Sequence, residues 1–213
     1  MYDAVLFDLD GTLVDTESVS IATGLAAFAA VGLTVELAFL HGMVGKDHAA
    51  TRAAILSAHP TVDIETLTAH WHDGFRASVA RELRLKPGVL DLLSAIDLPM
   101  AVVTSSRREE ARVKVEKAGI AGFFQLIISV DDVAQAKPAP DPFLLAAERL
   151  GVHPARCLVF EDSDTGAAAG RAAGCVVVQV PDMQPSHGPS ADHLAPDILA
   201  GARMAGLLRV TLA

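Results

Sequence analysis

Cysteine is scarce in this chain: 213 residues hold two, Cys157 and Cys175. There is no CxxC pair and no Cys/His cluster, so nothing in the sequence suggests a zinc site. Each cysteine borders an apolar run ("CLVF", "CVVVQV"), as a buried thiol does. No apolar run nears the roughly 20 residues of a membrane span. Basic residues are outnumbered, 17 Lys and Arg against 26 Asp and Glu, for a formal net charge of -9. That balance argues against nucleic acid or an anionic membrane as a general partner. It leaves a phosphorylated small molecule open, because the local field of a cleft outweighs the net charge. Aromatic residues reach only 5%, which with abundant alanine suggests helices packed through small side chains. The sequence shows no basic segment leading into an apolar leader, no internal repeat and no low-complexity tract. A cytoplasmic protein is the expectation.

Hydrophobic residues make up 51% of the chain, enough for a sizeable core and too many for disorder. The length fits one moderate domain, or a core with a smaller inserted one. Short apolar runs, "AVLFDL", "MAVVTS", "LIISV", "CLVFED" and "VVVQV", predict strands covered on both faces, as in a parallel sheet. The helical patterns "RREEARVKVEKAG", "DPFLLAAERLG" and "SDTGAAAGRAAG" separate the later ones, each ending on glycine. Alternating strands and helices predict an open α/β sheet, a Rossmann-like core. Residues 16–85 break the alternation. They hold only helical patterns ("IATGLAAFAAVG", "HAATRAAILSAH", "IETLTAHWHDGFRASVARELR"), so a helical domain is expected there, inserted into a core of 1–15 and 86–213. Residues 181–193 read as an exposed loop before a last helix.

Ligands of open α/β sheets bind outside the carboxyl ends of the strands. The first strand ends in Asp8-Leu9-Asp10-Gly11-Thr12, and the second in Thr104-Ser105-Ser106. The third leads to Lys137, and the fourth ends in Glu161-Asp162-Ser163. In a regular strand Asp8 and Asp10 would share a face, where like charges disfavour each other unless a cation sits between them. Asp-x-Asp alone is equally consistent with solvated loop acids. Glu161 and Asp162 at a second strand end favour an all-oxygen site for a hard cation, Mg2+ above others. Ser106 with Glu109 fits a capping box, and the hydroxyls of Thr104 and Ser105 beside a helix start could hold an anion. Prolines around Lys137 restrict its backbone. Gly166, Gly170 and Gly174 fall on one helical face, letting that helix lie close to the sheet. Metal, two aspartates, an anion pocket and a lysine describe phosphoryl transfer. One carboxylate attacks phosphorus, a second moves the proton, and cations offset the charge.

The motifs "FDLDGTLVDTE", "VVTSS", "KPAPDPF" and "VFEDSDTG" resemble the four motifs of the haloacid dehalogenase-like superfamily, in order and at family spacing. With the helical insertion the resemblance covers most of the chain. It is similar to the subgroup of β-phosphoglucomutases, phosphoglycolate phosphatases and sugar-phosphate phosphatases, whose helical cap follows the first motif. The resemblance implies that Asp8 is the nucleophile and Asp10 the general acid/base. It implies Mg2+ held by the side chains of Asp8 and Asp162 and the backbone carbonyl of Asp10, with Glu161 an inner- or outer-shell acid. Thr104 and Lys137 would hold the phosphoryl group, and Asp15 and Thr16 would mark the first linker to the cap. An aspartate at position 10 sets the chain apart from haloacid dehalogenases and phosphonoacetaldehyde hydrolases. The β-phosphoglucomutases usually carry a histidine four residues after the "DT" threonine, where this chain has Ser20.

Substrate choice is expected in the cap. "HGMVGKDHAATR" looks like the family's substrate-facing loop, with Gly45, Lys46 and Arg52 as candidate contacts. It is no P-loop, because Leu40 stands where the first glycine should. "HWH" at 70–72 is a poor metal pair, and Trp71 is read as packing. The expected activity is a Mg2+-dependent phosphatase acting on a small phosphorylated metabolite, a sugar phosphate. A phosphomutase is the alternative, and a non-catalytic phosphometabolite-binding module a third. A monomer is expected, with a dimer as the alternative.

Overall fold

A computed structural model describes residues 1–43, 48–183, 186 and 190–208. The chain divides into two compact units, one of Met1–Asp15 with Arg84–Ala213 and one of Thr16–Leu83.

The first unit begins with β1 (Ala4–Phe7), four residues buried on both faces. The second unit follows and is wholly helical among its described residues: α1 (Thr16–Ala30), α2 (Leu37–His41), α3 (His48–Ala58) and α4 (Ile64–Arg81). Its main packing is α1 on α4. A Cβ at Gly24 would stand 2.7 Å from Cζ2 of Trp71, so glycine admits the indole. Trp71 Nε1 donates to the Ser20 carbonyl at 2.8 Å, and the Phe28 ring lies 6.2 Å from the indole. Trp71 is therefore a packing residue whose one polar atom is satisfied. The short α2 has no counterpart in the sequence reading, because five residues are too few for a helical period to register.

The chain returns to the first unit through α5 (Val89–Ala95) and β2 (Met100–Val103). There follow α6 (Arg108–Lys117), β3 (Leu126–Ile128), α7 (Asp141–Leu150), β4 (Cys157–Glu161), α8 (Asp164–Ala172), β5 (Val176–Gln179), β6 (His193–Leu194) and α9 (Ile198–Met204). The strands form one parallel sheet in the order β3-β2-β1-β4-β5-β6. Alternate residues face opposite sides. Ala4, Leu6, Ala101, Val103, Val159 and Val177 join one apolar layer with Phe143 of α7 and Ala167 and Ala169 of α8. Phe7 and Phe160, of opposite parity, stack at 5.1 Å. Cys157 and Cys175 are buried free thiols.

Gly151 ends α7 in the left-handed region at φ 70°. Gly174 is left-handed as well, and a Cβ there would meet nothing within 4 Å. Gly174 therefore stops α8, and close packing falls to Gly166 and Gly170 alone. β6 lies at the end of the stretch expected to be loop. It has two residues, too short for alternation to show, and exists because Ala195 N donates to Gln179 O at 2.9 Å.

The order 3-2-1-4-5-6 leaves a crevice where the winding reverses, between β1 and β4. Asp8 and Asp10 follow β1, and Glu161 closes β4. The topology thus brings together two acidic segments far apart in sequence. The chain leaving β1 is tied to the chain returning from the helical unit: Asp15 N donates to Arg84 O, and Lys86 N to Leu13 O, both at 2.9 Å.

Candidate active site

Asp8 is fixed by the sheet itself. Its N–H donates to Phe160 O at 2.9 Å, continuing the β1–β4 ladder one residue past the strand. Gly11 then turns the chain at φ 84°, and its N–H donates to Val14 O at 2.9 Å. A Cβ on Gly11 would stand 2.5 Å from Asp162 Oδ2, so only glycine lets this turn lie against that carboxylate. Thr104 follows β2; its N–H donates to Ile128 O at 2.9 Å. Its buried hydroxyl oxygen accepts from Ser106 N at 3.0 Å.

Lys137 reaches in beneath these strand ends. Its Nζ donates to Asp8 Oδ1 at 2.7 Å, to Glu161 Oε1 at 2.6 Å and to Val103 O at 2.8 Å. Its side chain is 4% exposed and lies 5.1 Å from the Phe143 ring centroid. The other Glu161 oxygen accepts from Ser163 N at 3.2 Å and Ser163 Oγ at 3.0 Å. Glu161 therefore spans Lys137 and the cap of α8, since Ser163 Oγ also accepts from Gly166 N at 3.0 Å.

Burial pushes the Asp8 carboxyl up to about 7, against the pull of Lys137 and with help from the charges of Glu161 and Asp10. Burial alone would lower the Lys137 ammonium, but the carboxylates of Asp8 and Glu161 outweigh it, and its net shift is upward. The lysine stays charged, while Asp8 is poised between protonated and ionised near neutrality.

Asp8, Glu161 and Asp162 each offer a carboxylate oxygen, all within 4.8 Å of one another. Three hard oxygen donors so close suit a small divalent cation such as Mg2+. Asp10 is not a member of that trio, and it does not share a strand face with Asp8, because β1 ends at Phe7. Its carboxylate instead accepts from Lys114 Nζ (Oδ1, 2.6 Å) and Ser106 Oγ (Oδ2, 2.7 Å).

One expectation at the end of β2 is corrected. Ser106 caps no helix: α6 starts at Arg108 with Arg107 at the cap and no side-chain cap bond. The first N–H of α6, on Arg108, donates to Asp131 Oδ2 at 2.9 Å. Ser105 is exposed at that strand end. Lys114 belongs to none of the four sequence motifs. A signal was present, because Ala111, Lys114 and Val115 follow the i, i+3, i+4 spacing of a buried helix stripe.

Arg52 pairs with Glu65 at 2.6 Å inside the helical unit, with its side chain 43% exposed. Gly45 and Lys46 lie outside the described residues.

A family profile of haloacid dehalogenase-like hydrolases matches residues 2–174, and the chain belongs to that family. It is 31% identical over 182 residues to the fructose-1-phosphate phosphatase YqaB of Escherichia coli, covering 84% of this chain and 96% of that one. It is 34% identical over 181 residues to hexitol phosphatase A of the same organism, covering 82% and 81%. The structure of CbbY from Rhodobacter sphaeroides in complex with phosphate superposes with a TM-score of 0.72 at 28% identity, covering 92% of this chain and 95% of that one. Among the described residues no helix is long and apolar enough to cross a membrane.

Proposed function

We propose that this protein is a Mg2+-dependent phosphatase that hydrolyses a small sugar phosphate through an aspartyl-phosphate on Asp8. One observation carries the reading most: Asp8, Glu161 and Asp162 converge at the β1–β4 crevice with Lys137 bridging two of them. The sugar-phosphate and hexitol phosphatases among its relatives support the substrate class.

Asp8 Oδ attacks phosphorus, and Asp10, entering the step in its acid form, gives its proton to the leaving alcohol oxygen as the P–O bond breaks. Asp10 then takes a proton from water, which attacks the aspartyl-phosphate and frees Asp8. Lys137 orients Asp8 and offsets charge on the transferring group, and the Thr104 hydroxyl donates to a phosphoryl oxygen. Asp8 and Asp162 would hold Mg2+ by side chain and Asp10 by its carbonyl, with Glu161 at the inner or outer shell. When bound, the ion supplies positive charge to the transferring phosphoryl oxygens. Cap residues, with Gly45, Lys46 and Arg52 as candidates, select the sugar.

The test is phosphate release across a panel of phosphorylated sugars and polyols, with p-nitrophenyl phosphate as a generic ester. Release that EDTA abolishes and Mg2+ restores is expected; metal-independent release would contradict the reading. Interconversion of sugar phosphates without phosphate release would show a mutase instead, and binding without turnover a non-catalytic module.

Proton and cation compete for the same Asp8 carboxylate, whose pKa is raised to about 7. Acidification through that value fills the site with protons. Each pH unit below it is expected to weaken Mg2+ binding by about tenfold. The Mg2+ concentration giving half-maximal rate is therefore expected to be higher at pH 6 than at pH 8, measured by titration at each pH. An unchanged requirement would mean that no ligand titrates in this range.

A further inference from the structure

We infer that Lys114, a buried lysine outside all four sequence motifs, is the positioning residue for the proton-transfer carboxylate Asp10, acting together with Ser106. The inference rests on the phosphatase reading above, in which Asp10 moves the proton.

Three side chains form a closed triangle. Lys114 Nζ donates to Asp10 Oδ1 at 2.6 Å and to Ser106 Oγ at 2.8 Å, while Ser106 Oγ donates to Asp10 Oδ2 at 2.7 Å. Each carboxylate oxygen thus receives a separate donor, which fixes the plane of the carboxylate and not only its distance. The Lys114 side chain is 8% exposed and that of Asp10 30% exposed. The cation is therefore withdrawn from solvent while the carboxylate keeps a face toward it.

Burying a lysine is costly without compensation, and this one occupies the apolar stripe of α6 between Ala111 and Val115. An alanine or leucine there would satisfy the packing that such a stripe needs. The ammonium's use lies in the carboxylate it meets, 104 residues away in sequence. A second cation, Lys137, serves Asp8 and Glu161. The two carboxylates after β1 thus have separate lysines. Each can be oriented without sharing a donor, although the two aspartates stand only two residues apart.

For the acid step Asp10 must carry a proton on a lone-pair site that its two donors leave open, and orientation matters because that proton must lie along the line to the leaving oxygen. Its worth scales with the leaving group. A sugar alkoxide is a poor leaving group and needs the proton, whereas p-nitrophenolate leaves without one. The parameter kcat/KM reports only the steps through alcohol release. A positioning defect at Asp10 must therefore reduce kcat/KM more for a sugar phosphate than for p-nitrophenyl phosphate. A loosened fold would reduce both alike.

The experiment compares the wild-type protein with Lys114→Met, Lys114→Arg and Ser106→Ala, each with Mg2+. The substrates are p-nitrophenyl phosphate and the sugar phosphate turned over fastest by the wild type. Lys114→Met is expected to lose about a hundredfold in kcat/KM on the sugar phosphate and at least several-fold less on p-nitrophenyl phosphate. Lys114→Arg, which keeps the charge, recovers part of the loss. Ser106→Ala shows the same substrate bias to a smaller extent. Equal losses on both substrates would overturn the inference, as would wild-type kinetics in Lys114→Met. If Lys114→Met does not fold, Ser106→Ala and Lys114→Arg carry the same comparison, and the absence of bias in both overturns it. A wild type that releases phosphate from no ester removes the phosphatase reading itself, and this inference falls with it.

Discussion

Asp8→Asn is expected to abolish turnover while raising the thermal stability of the metal-free protein. Both effects come from one carboxylate. As the attacking group, Asp8 has no substitute in Glu161, which is buried and held by Lys137 and Ser163, or in Asp10, which is held by Lys114 and Ser106. Losses of roughly four orders of magnitude or more follow removal of a nucleophile. The stability effect has the opposite sign. Burial lifts the Asp8 carboxyl from the ordinary value of 3.8 to about 7, so its ionised form is disfavoured in the folded state. The folded protein loses stability from this group as pH rises between those two values, and the loss is complete above the upper one. Asparagine carries no charge to bury. The gap in melting temperature between Asp8→Asn and the wild type is therefore expected to be absent near pH 4 and to widen up to about 7. Adding Mg2+ at pH 8 should then raise the wild type more than the variant, because a ligand stabilises the state that binds it. Melting curves at several pH values, with and without Mg2+, measure all of this. A variant that still turns over ester would remove Asp8 as the nucleophile, and one that melts lower at pH 8 would contradict the cost of its burial.

The second large effect is expected from Gly166→Ala, a single methyl group. A Cβ at Gly166 would stand 1.8 Å from Glu161 Oε1 and 1.9 Å from its Cδ. The carboxylate has little freedom to give way, since Glu161 is 1% exposed and both its oxygens are bonded. Moving it breaks the contact with Lys137, and moving α8 instead breaks the Ser163 cap. Either route overpacks the interior or strands a buried charge, at a cost of about 3 kcal/mol. That corresponds to a fall in melting temperature of roughly 6–12 °C for a protein of this size. Activity should fall with it, by about tenfold or more, because Lys137 loses one of the two carboxylates that place it. Gly122→Ala is the control: a Cβ there meets nothing within 4 Å, so both stability and rate should be unchanged. Wild-type melting and rate in Gly166→Ala would show that α8 can shift without consequence to the site.

Both predictions concern acids at strand ends, and that placement was legible in the sequence. The apolar run Ala4–Phe7 reads as a covered strand, and Asp8 then stands at its exit. The same reasoning places Glu161 after "CLVF". β1, β2 and β4 are buried along their whole length, so their runs are continuous and easy to find. β6 escaped because its two residues carry no period. The helical insertion was legible because it interrupts a regular alternation. Sequence places Gly166 on a packing face of its helix but does not show that it packs on the Glu161 carboxylate, since sequence gives the helical face and not its partner.

The acids, the lysine of "KPAPDP" and the strand–helix alternation come from local chemistry: side-chain type and period are written residue by residue. Which charges meet was decided only by the tertiary structure. Lys137 looked like a lone cation until the fold set it between Asp8 and Glu161. Ser106 looked like a helix cap until the chain brought Asp10 to its hydroxyl. Lys114 sits in the most charged helix of the chain, and only packing separates a buried lysine from its solvated neighbours. The physical reason is common to all three. A hydrogen bond or ion pair between residues some hundred positions apart depends on strand order, and strand order is a property of the whole sheet.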